Sequence, residues 1–213
     1  MIDEAEHFKH LTECLNQIMV ARSIDTLAHI RYVQGYTRIL ATEYARLHPR
    51  ARMSSQKIDW IVDAAGLHDM GKLMLPDSLL HKVGRQSRLE REWMKQHTVL
   101  GCEMVDLLFD FRGTDFCRIC RNVCLYHHEI YDGSGYPKGY KRDKIPTEAQ
   151  LVALADMYEV LLHYEPEKNT FPKEKVYYML MNGKCGELSP KMKECLENTK
   201  ERLETYRLET EQN

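Results

Sequence analysis

AAGLHDMGKLMLPDSLL, residues 64–80, decides how this chain is read. It begins as the end of an apolar helical run. Ile58, Ile61, Val62, Ala65 and Leu67 recur near the 3.6-residue period and predict a helix over about 57–70 that stops at Gly71. At its end stands His68-Asp69, an adjacent imidazole and carboxylate that no packing pattern requires. A second couple, His127-His128, follows about sixty positions later within HHEIYDGSGYP (127–137). Neutral imidazole and carboxylate suit Fe, Mn, Zn or Ni. A carboxylate beside a histidine can bridge two ions, and a bridged pair can activate water. The expectation is a metal-dependent hydrolase. Lys72 stands at i+4 from His68, on one face if the helix runs through Gly71, where an ammonium can meet a substrate phosphate.

Outward from this stretch the pattern stays helical. Apolar stripes predict helices over 4–20, 24–46, 88–109, 114–128, 148–163, 172–182 and 189–208. Ser54 or Ser55 can cap the helix that ends in His68-Asp69, and Ser87 with Glu90 forms a capping-box pattern. Residues 76–87 read as irregular with one short turn, 131–147 as a glycine- and proline-rich loop, and 183–190 as a turn. No repeat or composition break appears. The fold class is all-α, with one main unit over 23–200, a connector or dimerisation helix over 1–22, and a helix end and tail over 201–213.

Composition narrows the function classes. The 213 residues are 43% hydrophobic and 29% charged, an ordinary globular balance that needs no disulfide scaffold. A net charge of −2 gives no electrostatic footprint for DNA or an anionic membrane. No apolar run approaches the roughly 18–20 residues of a membrane span, and the acidic start MIDEAEHFKHLTECL is no secretory signal. Seven cysteines form no even framework and fit a reducing cytoplasm. Cys117, Cys120 and Cys124 share a helix face at i, i+3 and i+7 and read as buried small apolar groups.

A lone histidine on an apolar helix is usually a satisfied core residue. Here His29, His68, His97, His127 and His128 accompany two acids in demanding places. Asp25 stands one turn before His29, and Asp156 interrupts the apolar LVALADMY, where an uncompensated charge is costly.

In order, AHIRYV (28–33), AAGLHDMGKLMLPDSLL (64–80), KQHTVLGCEM (95–104), YHHEIYDGSGYPKGY (126–140), IPTEAQLVALADMYE (145–159) and GKCGELSP (183–190) resemble the HD-GYP family, a branch of the HD superfamily of metal-dependent phosphohydrolases. The resemblance covers about 23–197 and implies an HD-domain helical bundle with HD-GYP extensions. Carried over by position, it implies that His29, His68, Asp69 and Asp156 hold one divalent ion and His97, His127 and His128 a second, with Asp69 bridging. The ions expected are Fe or Mn, with Zn, Ni or Mg as further candidates. Asp25 occupies the place of a glutamate that helps hold a third ion in some members. The resemblance assigns phosphate binding to Lys72, a place beside the substrate cleft to Gly135, Tyr136 and Pro137, and substrate contact to Lys168. It implies a bacterial cyclic-dinucleotide phosphodiesterase, cyclic di-GMP first, working with a sensor or receiver domain or as a homodimer. Glu159 stands where the family carries aspartate and reads as a mild change. Glu165 stands where it carries an arginine, which reverses the local charge. A binding module of weak activity and a phosphohydrolase of another nucleotide are the alternatives.

Overall fold

The computed structural model describes residues 4–108, 114–163 and 171–211; Glu165 and Lys168 lie outside them. Among the described residues every extended element is a helix: α1 Glu4–Ala21, α2 Leu27–Leu47, α3 Ser55–Ala65, α4 Asp77–Leu80, α5 Arg88–Lys95, α6 His97–Leu108, α7 Asp115–Tyr126, α8 Thr147–Leu162, α9 Lys173–Met181 and α10 Pro190–Glu211. Short polar side chains start several of them. Thr26, Ser54 and Thr114 accept from the backbone N–H three residues on, and Ser87 and Glu90 close a capping box. Each such cap is worth about 1 kcal/mol.

The centre is α2, which packs on α3, α8 and α10, while α6 and α7 form the adjoining layer. Its stripe of Val33, Tyr36 and Leu40 is fully buried. The α8 helix is apolar nearly all round, with Leu151, Val152, Leu154 and Ala155 wholly enclosed, as expected of a helix inside a bundle. Tyr36 meets Tyr158 and Tyr206 edge-on at 5.0 and 5.7 Å, tying α2 to α8 and α10. The α1 helix buries Phe8, Leu15 and Met19 in this same core, with Phe8 stacked on Phe116 of α7. Cys117, Cys120 and Cys124 are buried free thiols facing the core. No helix among the described residues is long and apolar enough to cross a membrane.

Two boundaries differ from the sequence expectation, and both carry site residues. The helix expected through residue 70 ends at Ala65, and the chain continues in tight i→i+3 bonds from Gly66 to Asp63, Leu67 to Ala64, Met70 to Leu67 and Lys72 to Asp69. The single helix expected over 88–109 is two, broken at Gln96. There the His97 ring and the Thr98 hydroxyl bond to the carbonyls of Met94 and Lys95, competing with the helix for its own acceptors.

Candidate metal centre

The His68-Asp69 couple sits on the tight turn after α3, not on the helix. Residues three apart eclipse one another in such a turn, so Asp69 faces Lys72 and the two form an ion pair at i, i+3. The expected His68–Lys72 register at i, i+4 is thereby replaced. The 3-10 turn Met70–Met74 lies against the first turn of α6. Gly71 makes that approach possible: a Cβ there would fall 1.9 Å from the His97 carbonyl oxygen and 2.4 Å from the Gly101 nitrogen. The contact brings His97 beside Asp69. His127 and His128 come from the C-terminal end of α7, His29 from the first turn of α2, and Asp156 from the middle of α8.

These side chains converge in two groups. Donor atoms of Asp69, His97, His127 and His128 lie within 4.8 Å of one another, and so do those of His29, His68 and Asp156. Asp69 stands between them. Its Oδ1 is 3.1 Å from His97 Nε2 and 3.8 Å from His127 Nε2, while its Oδ2 is 3.4 Å from His68 Nε2. His29 Nε2 is 3.7 Å from Asp156 Oδ1 and 3.9 Å from Asp25 Oδ1, which puts Asp25 at the rim of the second group.

The rings are oriented from behind. Nδ1 of His68, His97 and His127 lies 2.8, 2.7 and 2.9 Å from the carbonyls of Ala65, Met94 and Val123. A carbonyl only accepts, so Nδ1 carries the proton and Nε2 turns its lone pair inward. His97 Nε2 and His127 Nε2 then face each other at 3.3 Å, two lone pairs with no proton between them. His68 Nε2, Asp69 Oδ1 and Asp25 Oδ2 are buried without a hydrogen-bond partner. An orphaned polar atom costs about 1–3 kcal/mol. Convergent lone pairs and orphaned anionic oxygens fit a divalent cation in each group, with nitrogen and oxygen donors suited to Fe, Mn or Zn.

The electrostatics follow from the same geometry. Burial disfavours a charged His68, but Asp69, Asp156 and Asp25 outweigh it and push its pKa up to about 10. Burial also works against Asp69, yet Lys72 and His68 hold its carboxyl well below the usual range. Burial pushes Asp156 up, partly opposed by His68. Burial and the neighbouring imidazoles drive His127 well down, and burial takes His128 to about 3. A proton and a metal ion would compete for the His68 lone pair, so metal binding there would release a proton.

The Gly135-Tyr136-Pro137 loop is laced onto the histidines. A Cβ on Gly135 would lie 2.4 Å from both the His128 carbonyl oxygen and the Ile130 nitrogen. Tyr136 N–H donates to the His128 carbonyl at 3.1 Å, and its ring stacks on His128 at 4.7 Å. The Tyr136-Pro137 bond is cis. A cleft of about 440 Å³ opens beside the histidines, lined by His127, His128, Gly135, Tyr136, Asp156 and Met157 among others, with Pro137 outside its lining.

Two positioning residues escaped the sequence reading. Glu159, taken as a mild change, is buried and accepts from His29 Nδ1 at 2.7 Å, with His163 Nδ1 3.2 Å from its other oxygen. Burial disfavours its charge, but bonds from His163 and His29 hold its pKa down at about 2. Its signal was a second acid one turn after Asp156 in an apolar helix. Glu129 is buried and accepts from the backbone of Lys138 and Tyr140 at 2.7 and 2.9 Å, fastening the loop.

A helical bundle that gathers six histidine and aspartate side chains around one central carboxylate, Asp69, defines a class of candidate metal-dependent hydrolases. The model of the HD domain matches residues 22–184, and the chain belongs to that family, in its HD-GYP branch. It is 32% identical over 196 residues to the 3'3'-cGAMP-specific phosphodiesterase 2 of Vibrio cholerae, covering 92% of this chain and 35% of that protein. It is 32% identical over 203 residues to a cyclic di-GMP phosphodiesterase of Thermotoga maritima, covering 94% and 52%. The chain thus spans about a third to a half of the length of these curated relatives. Among solved structures, Bd1817, an HDG"Y"P protein from Bdellovibrio bacteriovorus, superposes with a TM-score of 0.60 at 20% identity, over 93% of this chain and 65% of that one. That likeness concerns the fold.

Proposed function

We propose that the chain is a metal-dependent phosphodiesterase that hydrolyses a cyclic dinucleotide, cyclic di-GMP first, to the linear dinucleotide or GMP. The observation that carries this reading is the placing of Asp69, with one carboxylate oxygen toward His97 and His127 and the other toward His68. In this reading His97, His127 and His128 hold one ion, His29, His68 and Asp156 hold a second, and Asp69 serves both. Fe or Mn is proposed as the native metal, and Asp25 as a marginal contributor. Divalent ions held there would supply Lewis acidity toward a phosphodiester and activation of water. The protein's own share is orientation and charge. The backbone carbonyls and Glu159 fix the imidazoles, and Lys72, half-buried and paired with Asp69, adds a positive charge where negative charge develops at phosphorus. The relatives named above act on cyclic di-GMP or 3'3'-cGAMP by their names, and the cleft has the volume of a nucleotide-sized site. A sensor or receiver domain as working partner belongs to the same proposal.

The test is metal analysis of anaerobically purified protein followed by a panel of cyclic and linear nucleotides. Asp69→Ala should abolish turnover and lower bound metal. Normal turnover in that variant overturns the reading.

A further inference from the structure

Lys72 is half-buried, ion-paired with Asp69 and outside the lining of the cleft, so it serves the centre and not the open cleft beside it. Of the described residues lining that cleft, Lys95 alone is a lysine or arginine. It ends α5, two residues before His97, and its Nζ lies 5.4 Å from the centroid of the Tyr136 ring that stacks on His128. Among the described residues its ion pair is with Glu92 at 2.8 Å, an i, i+3 pair with both side chains more than a third exposed. Such pairs are worth little and are readily exchanged. Arg91 and Arg88 stand four and seven residues before Lys95 on the same face of α5 and extend the positive rim outward. Beyond Asp156, which belongs to the donor cluster, the wall contributed by α8 is apolar: Ala153, Met157, Val160 and Leu161. A cleft with a metal-donor cluster at one end, a cation over an aromatic ring on one side and an apolar wall on the other suits a ligand with two separated phosphodiesters and flat bases.

We propose that Lys95 is the residue that binds the second phosphodiester of a cyclic dinucleotide while the first lies at the histidine–aspartate cluster. This rests on the functional reading above and adds the origin of selectivity for dinucleotides over simple phosphodiesters. The rival role for Lys95 is purely structural, holding Tyr136 and the start of α6.

The experiment compares the metal-loaded full chain with its Lys95→Met and Lys95→Arg variants on cyclic di-GMP and on bis(p-nitrophenyl) phosphate, which has a single phosphodiester. A charge-assisted contact predicts a KM for cyclic di-GMP raised about 10- to 100-fold in Lys95→Met. Turnover of bis(p-nitrophenyl) phosphate and metal content should stay within about twofold, and Lys95→Arg should keep most of the affinity. Equal losses on both substrates, or no change on either, overturn the assignment. A wild-type protein that cleaves the simple ester but no cyclic dinucleotide overturns the functional reading, and Lys95 with it. One that cleaves both while Lys95→Met is unchanged overturns Lys95 alone.

Discussion

Replacing Gly71 by alanine would test whether the two halves of the centre depend on one backbone contact. The added methyl would sit 1.9 Å from the His97 carbonyl oxygen, 2.4 Å from the Gly101 nitrogen and 2.8 Å from the His97 carbonyl carbon. Ordinary contact needs about 3.4 Å, so the turn and α6 must separate by roughly 1–1.5 Å, and neither neighbour is a side chain able to rotate away. Overpacking of this kind costs about 1–3 kcal/mol, and rigid backbone on both sides puts it at the upper end. A domain stable by about 5–15 kcal/mol survives that. The site does not, because the displacement falls between Asp69 and His97, now 3.1 Å apart. Misplacement by about 1 Å can cost around 100-fold in rate. Urea unfolding, metal titration and turnover should therefore show a folded but weakened protein with poor metal affinity. Gly84→Ala is the control: no atom lies within 4 Å of its Cβ position, so only left-handed backbone strain at φ +92° opposes the change. Wild-type metal affinity and turnover in Gly71→Ala would refute the reasoning.

Glu159→Gln should lower metal affinity about 10- to 100-fold, since the amide can no longer bind the His29 ring as a charged acceptor. Glu159→Asp should fall between the two in a metal titration, and wild-type affinity in the Gln variant would remove its positioning role. Asp63→Asn should stabilise the fold above neutrality. Burial pushes the Asp63 carboxyl up to about 6 from its ordinary 3.8. A raised acid pKa means the folded state holds the proton more tightly, so the penalty is nearly absent below pH 4, grows as pH rises toward 6 and is full above it. The shift corresponds to about 3 kcal/mol, which partial exposure reduces to about 1–2 kcal/mol. Urea unfolding should show that gain at pH 7.5 and little of it at pH 4, and an equal gain at both would exclude this cause.

The helices were legible because their stripes are regular: Val33, Tyr36 and Leu40 repeat at helical spacing and are the residues that become buried. The donor histidines were legible as adjacent couples and as positions of a family pattern, and the two groups of the structure contain them all. The turn at 66–74 was not, since apolar Leu67 and Met70 continue the helical period through a stretch whose backbone follows i→i+3 bonds. Periodicity over one turn cannot separate a period of 3.6 from 3.0. Nor was the break at Gln96, which arises from ring and hydroxyl bonds to carbonyls that exist only once the helices pack. Glu159 and Lys95 escaped for a related reason. A second acid after Asp156 marks Glu159 without naming its partner, a lysine at a helix end has no pattern of its own, and the role of each appears only against His29 or Tyr136 from another element.

The balance of charge in the centre orders the binding events. Asp25, Asp69, Asp156 and Glu159 have side chains only 10, 9, 16 and 8% exposed, and Lys72 is the lysine held among them. A phosphodiester brought to these side chains alone meets excess negative charge in a poorly solvated place, where repulsion is weakly screened. Burial opposes charge on His68 and His29, yet the neighbouring carboxylates raise both imidazole pKa values, which is the response of the site to that excess. Full compensation calls for divalent charge at the inward-facing Nε2 atoms. The polypeptide is therefore built to accept cations before an anionic substrate. Lys95, the cation proposed to meet the second phosphodiester, lines the cleft, apart from the Asp69 carboxylate that pairs with Lys72.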